Sequence, residues 1–309
     1  MRRAARIKPP PFYFPRSHEG LVQPLNIAKE IKHAALIRRR RLGDQMESMR
    51  ISTIDKVHPL LRRLRGPFEY RSDRYQGVFP GLVSSEPTAG DLSKKVFSFW
   101  TGDNALTPNR ERSLARLREV LGLRHVLVTA YDLDEWVLEA HPLHPAYEYL
   151  SLVHRSDYLR AYFAHHYGGG YVDLKAPTMP WVTAFERIAR DDEAWFASHR
   201  LHSVAWVAQL GGSLGRDLRR HYHLVAANTA FAARPHSPFT AEWLHEVEAR
   251  LDQGLEAVRR SPGGIRGEGP GYPFAWNELL NDIHHPLCLK YHAHIRYDDA
   301  YLLSREEYL

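Results

Sequence analysis

The sequence predicts an α/β fold in residues 91–309, with a mostly parallel sheet flanked by helices. A basic N-terminal extension, partly helical and partly irregular, is predicted for residues 1–90. From Lys94 onwards, short apolar runs alternate with longer segments of helical periodicity, which is the pattern of a parallel sheet with helical crossovers. In addition, 44% of the 309 residues are hydrophobic, which is enough for one sizeable core.

The N-terminal extension is rich in Pro and Arg as far as about residue 20, which indicates an irregular arm. Apolar residues then recur at helical spacing from Pro24 to Arg41, so a helix ending in four arginines is predicted. Basic residues suit the negative end of a helix dipole, and peripheral contact with an acidic membrane surface is the alternative role. The formal charge of +6 favours anionic partners such as nucleotides and phosphates.

Several classes of protein are disfavoured by the composition. No apolar run approaches the roughly 20 residues that span a bilayer, and MRRAARIKPPP lacks the apolar stretch of a secretory signal. We therefore expect a cytoplasmic protein. The single cysteine, Cys288, excludes an intramolecular disulfide and cysteine-based zinc clusters. No recognised nucleic-acid-binding fold is evident, so no specific nucleic-acid partner is expected.

A strand–helix–strand unit opens the predicted domain. KKVFSFW, which ends at Trp100, has the composition of a strand. Thr107 is a suitable cap for the following helix, which has Pro108 at its first position and ends before Gly122. RHVLVTAYD is then typical of a buried strand, and such a unit implies parallel pairing.

The next helix is predicted over residues 146–167, where Gly168, Gly169 and Gly170 end it and YVDL begins a strand. The remaining elements follow in order: a short helix at 181–190, strands in WFASH and HLVAANTAFAARP, a capped helix in HSPFTAEWLHEVEARLDQG, a glycine-rich loop at 261–273 and a last helix in FAWNELLNDI.

Five residues that could contact a ligand lie at or just after the predicted strand ends, where ligands bind in open α/β sheets. They are Trp100, Asp103, Asp132, Asp173 and Lys175, and we expect one shared crevice. The alternative is that polar residues simply begin loops.

Asp157 and Arg160 are three residues apart on the long helix and therefore share a face. A tight glycine turn returns this face to the end of the strand that carries Asp173. Carboxylates accept hydrogen bonds from sugar hydroxyls and arginine donates to phosphate, so the set suits a ribose and a diphosphate. The alternative is a surface ion pair of little energetic value.

The string SDYLRAYFAHHYGGGYVDLK resembles the core motif of glycosyltransferases of the capsular polysaccharide synthesis group, whose sugar-binding region contains DXD. Members share a helix with Ser-Asp-x-x-Arg, a Tyr-Gly-Gly turn and a strand that ends in Asp-x-Asp. KKVFSFWTGD resembles the first strand of that fold, and residues 94–180 match in order and spacing. NTAFAARPHSP is compatible with a later strand and helix, whereas residues 1–90 have no counterpart.

The resemblance implies a GT-A fold and transfer of a sugar from a nucleotide-sugar donor to a glycan acceptor, in capsular or surface polysaccharide synthesis. It implies that Trp100 stacks on the nucleotide base and that Asp157 and Arg160 hold the sugar or ribose and the diphosphate. Asp173 matches the first acid of DXD. The implied substrate-binding positions are Trp100, Thr101, Asp157, Arg160, Gly169, Gly170 and Asp173.

Lys175 departs from the family pattern, because it stands where the second acid usually ligates manganese or magnesium. The resemblance therefore does not decide whether a divalent metal is bound, and Asp173 is the motif residue left to ligate it. Since residues i and i+2 of a strand share a face, Lys175 is predicted to point where Asp173 points. We expect Asp173, Lys175 and Arg160 to be the catalytic set, with the two cations doing part or all of the metal's task. The alternative is a catalytically degenerate protein that still binds nucleotide sugar.

The stereochemical outcome stays open at this point. A retaining enzyme needs no dedicated protein base, whereas an inverting one needs an acid or histidine near the acceptor, for which Glu268 and Glu278 are candidates. Among the 19 histidines, the pairs His165-His166 and His284-His285 and the alternation His292/His294 are weaker candidates for a metal site.

Overall fold

The computed structural model describes residues 46–64, 66–75, 89–267 and 269–304. The chain divides into two compact units, Met1–His58 and Pro59–Leu309. Residues 46–64 form a helix, α1. The helix predicted from Pro24 to Arg41, and Glu268, lie outside the described residues. Within the described ranges, no helix combines the length and apolarity needed to cross a bilayer.

The second unit is built on a six-stranded sheet with helices between the strands. The strands are β1 (Lys95–Trp100), β2 (Arg124–Thr129), β3 (Gly169–Val172), β4 (Phe196–Arg200), β5 (Ala226–Ala233) and β6 (Ile295–Tyr297). The α-helices that follow α1 are α2 (Pro108–Val120), α3 (Leu152–His166), α4 (Val182–Ala189), α5 (Gly212–Arg220), α6 (Pro238–Arg260) and α7 (Asn281–Lys290).

The strand order is β2-β1-β3-β5-β4-β6, and β5 runs antiparallel to both of its neighbours. The pairs β1–β2, β1–β3 and β4–β6 are parallel. All strands except β5 therefore end at one edge of the sheet, as predicted for a mostly parallel α/β domain. The predicted strand–helix–strand unit is confirmed, with Thr107 accepting a hydrogen bond from the Arg110 amide as the cap of α2.

Helices cover both faces of the sheet. On one face, Val96 and Val172 pack with Leu117 of α2 and Phe185 of α4. On the other face lies an aromatic layer contributed by β1, β5, α3 and α6, made of Phe97, Phe99, Phe163, Phe231 and Trp243. Since side chains of a strand alternate between faces, α3 covers the face towards which Tyr171 also points.

The glycine turn between α3 and β3 is the sharpest local requirement of the fold. Gly168 and Gly169 have φ of 59° and 83°, a region that other residues rarely adopt. A Cβ on Gly169 would lie 2.4 Å from the Lys95 carbonyl oxygen, because β3 begins directly beside β1. The turn therefore lets α3 lie against the strand that it precedes.

Two helix boundaries differ from the sequence prediction. The helix predicted over 146–167 begins at Leu152, because the Ser151 side chain accepts a hydrogen bond from the His154 amide and caps it there. The last helix, predicted in FAWNELLNDI, is instead α7, which contains Pro286. Proline leaves the carbonyl of residue 282 without its helical donor, and Arg250 Nη2 donates to that carbonyl at 3.5 Å. This tertiary contact cannot be found from local periodicity, and α5 and β6 were likewise not predicted.

Gly169→Ala is expected to lower the free energy of unfolding by about 2–5 kcal/mol, because alanine is strained at positive φ and its Cβ meets backbone. Urea denaturation followed by circular dichroism measures this loss. Gly66→Ala is the control, since a Cβ there meets open space, and its expected effect is below about 1 kcal/mol. Equal losses in the two variants would contradict the role given to the turn.

Candidate functional site

Arg160 is the centre of a charged cluster on the α3 side of the sheet. Its Nη1 lies 3.6 Å from Asp157 Oδ1, one turn earlier on α3. Its Nη2 lies 3.3 Å from Asp173 Oδ1, just beyond the end of β3. The structure thus brings together Asp157, Arg160 and Asp173, which the sequence placed on one helix face and one strand end.

Tyr171 was not predicted and completes this cluster. Its hydroxyl donates a hydrogen bond of 2.9 Å to Asp173 Oδ1, and the Arg160 guanidinium lies 4.6 Å from its ring centroid. Burial raises the pKa of Tyr171, so its hydroxyl keeps the proton that it donates. The two-residue period of the predicted strand could have identified Tyr171, because Tyr171 lies two residues before Asp173 and would share its face.

Lys175 pairs with the other oxygen of Asp173, with 3.4 Å between Nζ and Oδ2. The strand was predicted to reach Leu174, but β3 ends at Val172, so both residues lie in the segment after it. Arg110 of α2 holds this segment by donating from Nη1 to the Leu174 carbonyl at 3.2 Å. The side chains of Asp173 and Lys175 therefore meet even though neither residue belongs to the strand.

Exposure increases along the cluster. The side chains of Asp157 and Arg160 are 3% and 11% exposed, whereas those of Asp173 and Lys175 are 19% and 21% exposed. Asp157 and Arg160 therefore form the buried base of the site, and Asp173 and Lys175 form its accessible end.

The charges of the buried base are strongly coupled. Burial raises the pKa of Asp157 to about 7, with Arg160 acting to lower it and Asp173 acting to raise it. Burial also works against the charge of Arg160, but Tyr171, Asp173 and Asp157 together raise its pKa above the ordinary value. Arg160 is therefore a permanent cation that lies between two carboxyl groups, and burial makes Asp157 gain a proton more easily than an exposed aspartate does.

A cavity of about 480 Å³ opens beside Lys175 at the sheet edge where the parallel strands end. Its size lies in the range of small-molecule sites. The residues that line it come from the ends of β3 and β4, the start of β5, α7 and the C-terminal segment: Lys175, His199, Leu201, His202, Trp206, Ala227, Asn228, Thr229, Asn281, His285, Leu302, Leu303 and Ser304.

An irregularity in β5 forms one wall of this cavity. Ser198 is opposite Phe231, but Arg200 is opposite Ala226, so the antiparallel register shifts between them. Residues 227–229 of β5 are thereby released from β4 and line the cavity. Thr229 also accepts a hydrogen bond of 2.8 Å from the Asp173 amide, which ties this wall to the charged cluster. Bulges often re-aim side chains next to active sites.

The residues predicted at the ends of β1 and β2 lie at the same sheet edge but are engaged locally. Trp100 Nε1 donates to the Asn104 carbonyl at 2.6 Å, and Thr101 Oγ1 donates to the Leu152 carbonyl at 2.7 Å. Asp132 accepts from the Thr129 hydroxyl at 2.7 Å and closes the turn after β2, and Asp103 is exposed. In the described part of the chain, none of these four lines the 480 Å³ cavity.

Gly169 and Gly170 lie at the opposite end of β3 from Asp173 and are buried. Their neighbours are backbone and core atoms of β1, α4 and β5, with Phe185 Cζ lying 3.0 Å from where a Cβ of Gly170 would be. Glu278 accepts a hydrogen bond of 2.8 Å from the Ala275 amide in the turn before α7. These contacts shape the backbone around the site.

Asp173, the motif residue predicted to ligate a divalent metal, is engaged by two cations. Both carboxylate oxygens face cations, Arg160 on Oδ1 and Lys175 on Oδ2. Across the described residues, no three His, Cys, Asp or Glu side chains are placed to hold a metal ion. The alternating His292 and His294 do not lie on a strand, because residues His292–His294 make a 3₁₀ turn in which both rings contact backbone carbonyls.

Comparisons with known proteins give no family assignment. No protein-family model matches the chain, and no curated protein matches it at a significant level.

Asp157→Asn is expected to change how stability depends on pH. Because folding raises the pKa of Asp157 from 3.8 to about 7, its contribution to wild-type stability is full below about pH 4 and is lost as the pH rises towards 7. Asparagine does not ionise, so the variant does not share this loss. The free energy of unfolding of the variant minus that of the wild type should therefore increase by up to about 4 kcal/mol between pH 4 and 8.

Urea denaturation at pH 4, 5, 6, 7 and 8 measures the difference between the two proteins. Asp134→Asn, at an exposed carboxylate, is the matched control and should give a curve parallel to that of the wild type. A parallel curve for Asp157→Asn as well would show that Asp157 ionises as freely in the folded chain as in the unfolded one.

Proposed function

We propose that this chain is a glycosyltransferase of the GT-A type that moves a sugar from a nucleotide-sugar donor to a glycan acceptor. The reaction would serve capsular or other surface polysaccharide synthesis, as the resemblance in residues 156–175 implies. The observation that supports the proposal most is the position of Lys175, whose Nζ lies 3.4 Å from Asp173 and which lines a cavity of about 480 Å³. An acid and a cation at the mouth of one cavity suit a sugar joined to a phosphate.

The position of this cavity in the sheet supports the proposal. Ligands of open α/β sheets bind beyond the carboxyl ends of parallel strands, and Lys175 and Leu201 of the cavity follow the ends of β3 and β4. The mostly parallel sheet with helices on both faces is compatible with the GT-A arrangement.

The proposed chemistry depends on charge developing on a departing nucleoside diphosphate. When the bond from the anomeric carbon to the phosphate oxygen breaks, its electron pair leaves with the diphosphate, and a fixed cation stabilises it. Lys175 is the accessible cation of the cluster, with a mobile ammonium suited to phosphate. Arg160 is mostly buried, and its part is to hold the Asp173 carboxylate oriented towards the sugar or ribose hydroxyls.

A second candidate function rests on the same ion pair. If Lys175 stays with Asp173 when ligand is bound, the pair neutralises the crevice and the chain binds nucleotide sugar without reacting. The two functions differ in turnover and agree in binding, so calorimetry alone cannot separate them.

A screen of UDP-, GDP- and CDP-linked sugars for donor hydrolysis, with calorimetry in parallel, tests the function. We expect turnover of at least one donor, and we expect EDTA to change that rate by less than about 2-fold because Lys175 occupies the usual position of the metal ligand. Binding without turnover selects the degenerate protein. Turnover that needs added manganese contradicts the part given to Lys175, and no binding of any donor contradicts both functions.

Lys175→Gln is expected to lower the rate of donor cleavage by about 10²- to 10³-fold, the usual loss when one electrostatic stabiliser of a transition state is removed. Lys94→Gln, at an exposed position near the start of β1, is the matched control and should keep wild-type turnover. Both rates are measured in EDTA, so that no added metal substitutes for the lost ammonium. Full turnover of Lys175→Gln would rule out the proposed role.

A further inference from the structure

The wall of the 480 Å³ cavity differs in character from the charged cluster that it adjoins. Among the described residues that line it, Lys175 is the only Lys, Arg, Asp or Glu side chain. The other polar lining side chains are histidine, asparagine, threonine and serine, and Trp206 adds an aromatic ring that is 44% exposed. Apart from this one cationic end, the described lining consists of polar, aromatic and aliphatic side chains, the last from Leu201, Ala227, Leu302 and Leu303.

His199 is buried and lies where the register between β4 and β5 shifts. Its Nδ1 is 2.9 Å from the Arg200 carbonyl oxygen. Since a carbonyl can only accept, Nδ1 carries the proton, and Nε2 of the neutral ring is left as a hydrogen-bond acceptor.

His285, on α7, has the opposite arrangement. The backbone amide of Ala208 donates to its Nδ1 at 3.0 Å. Because Nδ1 accepts, the proton of the neutral ring lies on Nε2, which is a donor. The backbone thus fixes one acceptor and one donor imidazole on the same cavity.

Both rings are neutral near pH 7. Burial lowers the pKa of His285 to about 3. Burial also lowers the pKa of His199. The contact with the Arg200 carbonyl acts to raise this pKa, His202 acts to lower it and Asp299 acts to raise it. Neutral rings with fixed tautomers match hydroxyl groups, which both donate and accept.

We propose that this cavity selects an uncharged sugar, with His199 accepting a hydrogen bond from one hydroxyl and His285 donating to another, while Lys175 faces the phosphate to which the sugar is joined. This inference rests on the proposed function. Asn228 and Asn281, joined by a hydrogen bond of 2.7 Å, offer further amide groups on the same wall. The ring of Trp206 offers an apolar surface to the C–H face of the sugar.

An acidic sugar is disfavoured for an electrostatic reason. Its carboxylate would lose water on entering the cavity, and a desolvated charge is costly without a partner. Among the described lining residues, Lys175 is the single side chain with a permanent positive charge, and the phosphate of the donor competes for it. A neutral sugar meets no such penalty.

Calorimetry on the full chain tests the selection with UDP, UDP-glucose and UDP-glucuronic acid, which differ only in the sugar position. We expect UDP-glucose to bind at least about 10-fold more tightly than UDP-glucuronic acid, as follows from leaving one charge poorly paired. If UDP is not the preferred nucleotide, the corresponding GDP or CDP set is used. Equal binding of neutral and acidic sugars, or tighter binding of the acidic one, overturns the proposal.

His199→Leu removes the acceptor and tests the tautomer argument. The affinity ratio of UDP-glucose to UDP should fall by about 10-fold, because a buried hydroxyl is left unpaired, whereas the affinity for UDP alone should stay within about 2-fold. His294→Leu is the matched control, since His294 also contacts a backbone carbonyl through Nδ1, that of Glu193 at 2.9 Å, and does not line the described cavity wall. An unchanged ratio in His199→Leu overturns the role of His199.

The two levels of the proposal fail in different ways. If no nucleotide or nucleotide sugar binds the wild type, the transferase function fails and the selection fails with it. If donors bind and react without preference for neutral sugars, the transferase function stands and the selection alone is wrong. Should His199→Leu not fold, the comparison of neutral and acidic donors on the wild type still decides the selection.

Discussion

The sharing of Arg160 between Asp157 and Asp173 is the interaction on which the arrangement of the site depends. One guanidinium, 11% exposed, lies 3.6 Å from an acid of its own helix and 3.3 Å from an acid beyond the next strand. A buried cation with a single partner would leave charge poorly compensated, so α3 and the end of β3 have to meet. The glycine turn makes this possible, because it returns the chain beside β1 without side chains in the way.

This sharing leaves Asp173 in a particular state. Its Oδ1 faces Arg160 and the Tyr171 hydroxyl, while its Oδ2 faces Lys175. Cations on both oxygens leave little room for a further positive ligand. Lys175 is therefore consistent with the rest of the cluster. Arg160 and Tyr171 hold the Asp173 carboxylate in the orientation at which it contacts Lys175.

The cavity beside the cluster owes its shape to the irregular pairing of β5. A regular register would pair residues 227–229 with β4, whereas the shift leaves them unpaired on that side, where they line the cavity together with His199. The first helical turns of α7 complete the wall, and Arg250 supports this helix by donating to the carbonyl that Pro286 leaves unpaired. A charged cluster built by α3 and β3 is thus joined to an uncharged wall built by β4, β5 and α7.

The sequence by itself determined the class of fold, the strand–helix–strand opening, the glycine turn and the meeting of Asp157, Arg160 and Asp173, because each depends on local periodicity, caps or positive φ. Tyr171 followed from the strand period and was overlooked. Only the tertiary structure decided the start of α7, the shift in β5 and the tautomers of His199 and His285. Each of these depends on a partner distant in the chain or on a backbone group whose direction is set by packing: Arg250 for Pro286, β4 for β5, and the Ala208 amide for His285. Local sequence patterns carry no information about such partners, so the charged half of the site was predictable and the uncharged half was not.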